Sequence, residues 1–261
     1  MLDFHNHLMP GVDDGAVDLD ESRVGLATLR SHGISDIITT PHIRASLTER
    51  PRELGIYLGV IDRAFERLRT LADAEFPEIR LERGVEIMLD IPHPDLSDPR
   101  LRLAGTSFAL VEFPFMSIPP HSTRAIGEIA ERGWTPVIAH PERYANMPAH
   151  YDLVDDWRDA GGRIQVNSGS FLSFYGAAAK RFAWYLLGRG CVDYLSSDYH
   201  SRGKCGVEGC SAELTERGAE AQLRELTTTN PERLLRNEPP IPVPPFEPKG
   251  RSLLSRMLRR R

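Results

Sequence analysis

Cysteine is scarce in this chain: three residues in 261, Cys191, Cys205 and Cys210. Their spacing forms no disulfide framework, and no further ligands stand beside Cys205 and Cys210 to make a zinc site, so all three read as ordinary thiols. A cysteine-based phosphatase needs C-x5-R, but the sixth residues after these cysteines are Ser197, Ser211 and Glu216. No apolar run is long enough to span a bilayer, and no charged-then-apolar leader opens the chain. A soluble, cytoplasmic protein is the expectation. Neither a G-x4-G-K-[ST] phosphate loop nor a G-x-S-x-G elbow occurs. A cationic surplus is missing too. The formal net charge of −5 speaks against nucleic acid as a partner.

What is present begins at once, with MLDFHNHLMPGVDDG. Leu2-Asp3-Phe4 reads as a short strand, and His5 and His7 follow at its end. Residues two apart on a strand share a face, so both imidazoles aim at one point. Asp13 and Asp14 come next, on a loop shaped by Gly11 and Gly15. Neutral imidazole is the commonest transition-metal ligand. The stretch reads as half of a metal site, although H-x-H alone equally describes two surface histidines.

The rest of the chain alternates. Strand patterns at 34–40, 79–87, 108–111, 136–139, 163–166 and 192–195 are separated mostly by helical ones, for example Leu54, Leu58, Ile61, Phe65, Leu68 and Ala72. With the opening strand these make seven. The alternation implies a parallel sheet, and short apolar strands imply cover on both faces. Polar residues of ligand type close nearly every strand. A barrel gathers all such ends on one face, whereas an open sheet focuses only those near its switch point. The expected fold is therefore α/β, a (β/α)7-type barrel.

The strand-end residues and adjoining loops give His5, His7, Asp14, His42, Glu86, Glu112, His140, Asp198 and His200, five of the nine histidines in the chain. Crowding these groups without cations costs repulsion and desolvation. Nine ligands exceed the needs of one ion, so two or three divalent metals are expected, with a bridging carboxylate. Imidazole with carboxylate and no thiolate suits manganese, iron or zinc. Water between such ions ionises near neutral pH and can attack phosphorus, while the ions neutralise phosphoryl oxygens. Arg143, just past His140, is placed to hold phosphate bidentately. Phe113, Phe115 and Tyr144 could hold an aromatic leaving group or simply pack.

Taken together, His5-x-His7, Asp13-Asp14-Gly15, Thr40-Pro41-His42, Gly84-Val85-Glu86, Glu112, His140-Pro141-Glu142-Arg143-Tyr144 and Ser197-Asp198-x-His200 resemble the polymerase-and-histidinol-phosphatase (PHP) superfamily. Within it they are similar to the bacterial tyrosine-protein phosphatases of capsule and exopolysaccharide operons, the CpsB/YwqE group. The resemblance covers Met1 to Asn237. It implies a distorted (β/α)7 barrel of the PHP type with a trinuclear, often manganese-dependent centre. His5, His7, Glu86 and Asp198 would hold one ion. Glu86 would bridge to a second completed by Glu112 and His140, and Asp14, His42 and His200 would hold the third. The family's second phosphate-contacting arginine falls in the loop Ser201-Arg202-Gly203-Lys204-Cys205, where Arg202 or Lys204 would serve. The implied substrate is the tyrosine-phosphorylated tail of a bacterial kinase. A small-molecule phosphatase of histidinol-phosphate type, a PHP phosphodiesterase and a metal-stabilised binding module are the rivals.

Residues 1–237 form the expected barrel domain and 238–261 an appendage. Its prolines, from Pro239 to Pro245, read as extended polyproline rather than packed structure. Residues 249–261 carry six cations and no acid, with Leu253, Leu254, Met257 and Leu258 at helical spacing. Such a tail is a solubilising extension or a weak contact to an anionic membrane surface.

Overall fold

The computed structural model describes residues 1–145, 147 and 152–247, with Phe115 described as backbone alone. The basic segment 249–261 lies outside the described residues. The chain opens with β1 (Leu2–Asp3) and α1 (Leu19–Ser31), followed by β2 (Asp36–Thr39), β3 (His42–Arg44) and α2 (Pro51–Glu75). Next come β4 (Arg80–Arg83), β5 (Glu86–Met88), β6 (Phe108–Glu112), α3 (Ser122–Glu131) and β7 (Thr135–Ala139). Then follow α4 (Leu153–Asp159), β8 (Arg163–Asn167), α5 (Ser168–Phe171), α6 (Gly176–Gly188) and β9 (Tyr194–Ser196). Helices α7 (Val207–Glu216), α8 (Glu220–Arg224) and α9 (Asn230–Leu235) close the fold.

Local chemistry explains the helices. The Asp18 side chain accepts hydrogen bonds from the backbone N–H groups of Asp20 and Glu21, each at 3.0 Å, and so caps α1. Gly33, at φ 82°, turns the chain away after it, a conformation costly for any residue with a Cβ. Pro51 begins α2, where no backbone N–H is required. The anticipated stripe on α2 is the buried one, with Leu58, Ile61, Phe65, Leu68 and Ala72 facing inward.

Among the described residues every strand pair is parallel. Two sheets result, in the orders β1-β2-β4 and β3-β5-β6-β7-β8-β9. Of the seven expected strands, 79–87 is divided into β4 and β5, and 34–40 is followed beyond Pro41 by a strand that was not expected, β3. The division is a shared kink: Thr39 pairs with Arg83 and His42 with Glu86, so register continues across it. Proline at 41 lacks a donor, while Gly84 N–H still reaches Thr39 O at 3.0 Å and Glu86 N–H reaches Pro41 O at 3.0 Å. Past the ends of β1 and β9, Asp198 N–H donates to His5 O at 2.7 Å and His7 N–H to Tyr199 O at 2.9 Å.

Burial divides the strand residues by face. Ile37, Ile87, Val111, Ile138 and Val166 belong to the large core beneath the helices. Phe4, Ile38, Phe108, Leu110, Val137 and Tyr194 form a second, smaller core, plugged by Leu103 and Leu234. Apolar surface on both faces is what makes these strands read as short continuous hydrophobic runs.

The proline-rich segment departs from expectation. It has no helix or strand, but it is packed. Val243 and Phe246 are buried, and Phe246 N–H donates to Leu187 O at 3.1 Å. Buried Asn230 holds it from both sides, its Nδ2 donating to Ile241 O at 3.0 Å and its Oδ1 accepting from Ile241 N–H at 2.8 Å. Apolar residues set among the prolines supply a face to bury, and an asparagine side chain replaces the missing sheet partner.

Candidate metal centre

All nine candidate ligands converge on one place: His5, Glu112, His140 and Asp198 stand at or just past the C-terminal ends of β1, β6, β7 and β9, whereas His42 and Glu86 open β3 and β5 just past the break in the paired strands. His5 and His7 leave β1 on a segment anchored by buried Asp3, which accepts from Ser197 N–H and Ser197 Oγ–H at 2.7 Å each. The returning loop must pass against His7: a Cβ on Gly15 would stand 2.1 Å from His7 O, so only glycine fits. His140 and Asp198 adopt left-handed backbone at φ 36° and 52°. Such conformations persist where surrounding contacts enforce them, and they gather at functional sites.

Glu86 is the hub and is fully buried. Its Oε2 lies 3.1 Å from His5 Nε2, 3.4 Å from His7 Nε2 and 3.1 Å from His42 Nδ1. Its Oε1 lies 3.0 Å from His140 Nε2. Asp198 Oδ1 stands 3.4 Å from His5 Nε2 and 3.5 Å from His7 Nε2. On the outer side Asp14 Oδ1 is 3.5 Å from His42 Nε2 and 3.4 Å from His200 Nε2. Glu112 Oε1 is 3.4 Å from His42 Nδ1. Four overlapping groups could each hold an ion: His5, His7 and Glu86; His5, His140 and Asp198; His42, Glu86 and Glu112; His7, Asp14, His42 and His200.

Hydrogen bonding on the far side of the His5, His7 and His200 rings tests the fit, whereas His140 Nδ1 is buried without a partner. His5 Nδ1 lies 2.9 Å from Gln165 Oε1, and the Gln165 amide nitrogen donates to Asn167 Oδ1 at 2.8 Å. That polarity makes His5 Nδ1 the donor and leaves the Nε2 lone pair facing the centre. His7 repeats the arrangement with Asp13 Oδ2 at 2.7 Å, and His200 with Asp198 O at 3.0 Å. Carboxylate or carbonyl behind imidazole is the usual support of a metal-bound histidine. Inside the ring of ligands, His5 Nε2, His7 Nε2, His42 Nδ1 and Glu86 Oε2 are buried without a hydrogen-bond partner. Lone pairs facing carboxylate oxygens at 3.1–3.5 Å repel unless a cation lies between them. The residues fit divalent metal.

Without metal, protons take that place. Burial opposes protonation of His5, but the Glu86 and Asp198 carboxylates outweigh it and push its pKa up to about 9. His7 is likewise raised, against its burial, by Asp13, Asp198 and Glu86. Burial alone would raise Glu86 and Asp198, yet the surrounding imidazoles hold both below the usual carboxylate range. His200 is lowered by burial and by His7.

The residues expected around phosphate fare differently. Arg143 donates to Asp198 Oδ2 and lies 4.2 Å above the Tyr175 ring, at the edge of the cluster. Its neighbour Glu142 is not its ion-pair partner: Glu142 is buried, accepting from Asn167 N–H at 2.9 Å and Ser170 Oγ–H at 2.6 Å. Arg202 donates to the carbonyls of Asp14 and Gly15 and so pins the opening loop. Lys204 is exposed on the same loop. Phe113 and Tyr144 are packing residues, with Tyr144 Oη donating to Ala139 O at 3.0 Å and accepting from Phe113 N–H at 3.1 Å. The Phe115 side chain lies outside the described residues. Gln165, Asn167 and Tyr175 were not singled out from the sequence. Gln165 carried one signal, a polar residue at the centre of a strand expected to be covered on both faces.

Comparison with known proteins agrees with this geometry. The family profile "Capsular polysaccharide synthesis, CpsB/CapC" matches residues 1–236. The tyrosine-protein phosphatase YwqE of Bacillus subtilis is 28% identical over 260 residues, 97% of this chain and 98% of that protein. The tyrosine-protein phosphatase CpsB of Streptococcus pneumoniae is 30% identical over 215 residues, 77% of this chain and 83% of that one. A crystal structure from work on these two proteins, described as metal-dependent tyrosine phosphatases, superposes with a TM-score of 0.77 at 26% identity. It covers 96% of this chain and is itself covered completely. On the strength of a match that spans both sheets and the whole ligand cluster, the chain belongs to the CpsB/CapC family of capsular polysaccharide synthesis.

Proposed function

We propose that this protein is a metal-dependent protein-tyrosine phosphatase acting in the cytoplasm on a phosphorylated bacterial tyrosine kinase of capsule or exopolysaccharide synthesis. One observation carries the reading: five histidines and four carboxylates meet at one site in a chain whose named relatives are tyrosine phosphatases. The architecture we assign is the distorted (β/α)7 barrel, supported by the continuous register across the kink and by the backbone bonds joining the ends of β1 and β9. Residues 1–237 are the catalytic unit, with 238–261 appended to it.

We assign two to three ions, manganese first and iron or zinc as alternatives. His5, His7, Glu86 and Asp198 would hold one. Glu86, Glu112 and His140 would hold the next, with His42 also within reach of the two carboxylates. Asp14, His42 and His200 would hold the third, with His7 beside them. Bound there, divalent cations acidify the attacking water and neutralise charge on the phosphoryl oxygens. Arg143 turns its guanidinium from Asp198 to the phosphate, its plane kept by Tyr175. Asn167 keeps Asp198 oriented through a 2.7 Å hydrogen bond. Lys204, exposed on the loop after His200, is assigned the second phosphate contact, because Arg202 is committed to loop carbonyls. Tyrosinate leaves readily, its parent phenol having a pKa of about 10, so no dedicated acid is required.

The test is turnover of a phosphotyrosine peptide against histidinol phosphate by manganese-loaded protein. Faster turnover of the peptide, abolished by His7→Ala, is expected. Preference for histidinol phosphate would sink the assignment.

A further inference from the structure

Parallel register builds a second feature directly above the ligands. His42 pairs with Glu86, and two residues further along the same strands Arg44 pairs with Met88 and Met88 with Glu112. Side chains two apart share a face, so Arg44, Met88 and Glu112 form a row one step outward from His42 and Glu86. Around that row lies a cavity of about 460 Å³, lined by His42, Leu47, Tyr57, Met88 and Glu112, with Arg44 and Arg50 at its mouth. This is the size range of ligand pockets. Two candidate metal ligands form its inner wall, and its walls are mostly apolar. Tyr57 Oη donates to His42 O at 2.9 Å, which ties the pocket wall to the backbone of a ligand. Two of the aromatic residues anticipated from the sequence, Phe113 and Tyr144, cannot serve here, since both are buried and engaged with each other.

The mouth carries a charge with nothing to meet. The Arg44 side chain is exposed and has no hydrogen bond or ion pair among the described residues, whereas Arg50 is paired with Glu53 at 2.8 Å. An unpaired guanidinium at the rim of an apolar pocket, in a protein of net negative charge, complements a carboxylate on an incoming chain.

We propose that this pocket seats the phenyl ring of the phosphotyrosine, against Leu47, Tyr57 and Met88, and that Arg44 selects peptides with an acidic residue beside that tyrosine. The proposal rests on the tyrosine-phosphatase reading and supplies its substrate preference. The phosphate reaches the centre from the Glu112 side, with Arg143 across the cluster beside Asp198.

The experiment compares kcat/KM of manganese-loaded wild-type protein, Arg44→Glu and Leu47→Ala on two phosphotyrosine peptides, one flanked by glutamates and one by lysines. A small alkyl phosphomonoester serves as the third substrate. Wild type should favour the glutamate peptide by about tenfold, and that preference should shrink with added salt. Arg44→Glu, a change at an exposed side chain, should invert it. Leu47→Ala should lower turnover of both peptides relative to the alkyl ester. If wild type and Arg44→Glu treat the two peptides alike, the Arg44 assignment is overturned while the phosphatase reading stands. Equal losses on peptide and alkyl ester in Leu47→Ala would overturn the ring pocket. Failure of wild type to hydrolyse either peptide would remove both this inference and the reading beneath it.

Discussion

Single side chains divide into those that would face cations and those that aim them. Arg143 is on the substrate side of that division: its partner Asp198 is a candidate ligand, yet its guanidinium sits at the cluster edge. Arg143→Ala should retain its full metal content by elemental analysis and lose on the order of 10²-fold in kcat/KM, the usual cost of one preorganised donor to transition-state charge. Gln165 is on the aiming side. Gln165→Leu keeps the volume and removes the acceptor behind His5, so metal affinity should fall by roughly 10–100-fold in competition with a chelator. An unchanged affinity would show that His5 needs no support. Proton linkage follows from the same residue. With its pKa raised to about 9, His5 is protonated at pH 7.5 in metal-free protein, and only its neutral form binds metal. Metal loading should therefore release protons, seen as a buffer-dependent calorimetric enthalpy, and affinity should rise as pH climbs toward about 9.

At the level of elements, the kink at Pro41 and Gly84 decides what the strands can do. Pro41 has no N–H to give the ladder, so the pairing of 36–44 with 80–88 is broken there although its register continues. The break divides the paired strands into two sheets, a feature the β-branched run 34–40 did not disclose. The opening loop is equally constrained. Gly15→Ala would drive a methyl into the His7 backbone, and a loss of about 1–3 kcal/mol in urea unfolding is expected from such overpacking. The variant should also bind metal more weakly, because relief of the clash must move His7. The packed proline segment is a further case. Its composition argued for a free extension, but Val243, Phe246 and the pair of hydrogen bonds between Ile241 and Asn230 attach it to α6 and α9.

For the whole molecule, cations and protons are alternative ways of neutralising one buried set of charges. Metal that binds only the folded state raises its stability, by about 2.7 kcal/mol at a hundredfold excess over Kd. Chelation should accordingly lower Tm, and added manganese should restore it. The pH dependence then has a definite sign. A histidine whose folded pKa lies above its unfolded value stabilises the fold fully below the unfolded value and ceases to do so as pH rises through the folded one. His5, raised from 6.5 to about 9, places that window between those values. Chelated protein should lose Tm between pH 6.5 and 9, and metal-loaded protein should not. A chelated protein with flat Tm across that range would mean that these imidazoles are not protonated.

The alternation of strands and helices, the α2 stripe and the meeting of nine candidate ligands at one place could be read from sequence, because each depends on periodicity or on polar residues set beside strand segments. Pairing required three dimensions. Glu86 as hub, Gln165 behind His5, Glu142 turned inward and Arg202 spent on loop carbonyls are contacts between segments far apart in the chain, and no local pattern encodes them. The same holds for the pocket above His42, which exists only because parallel register sets Arg44 beside Met88 and Met88 beside Glu112. Sequence specifies which groups face the strand ends; the packing of strands against one another sets the distances at which those groups meet, and distance determines whether they bind a cation, a proton or each other.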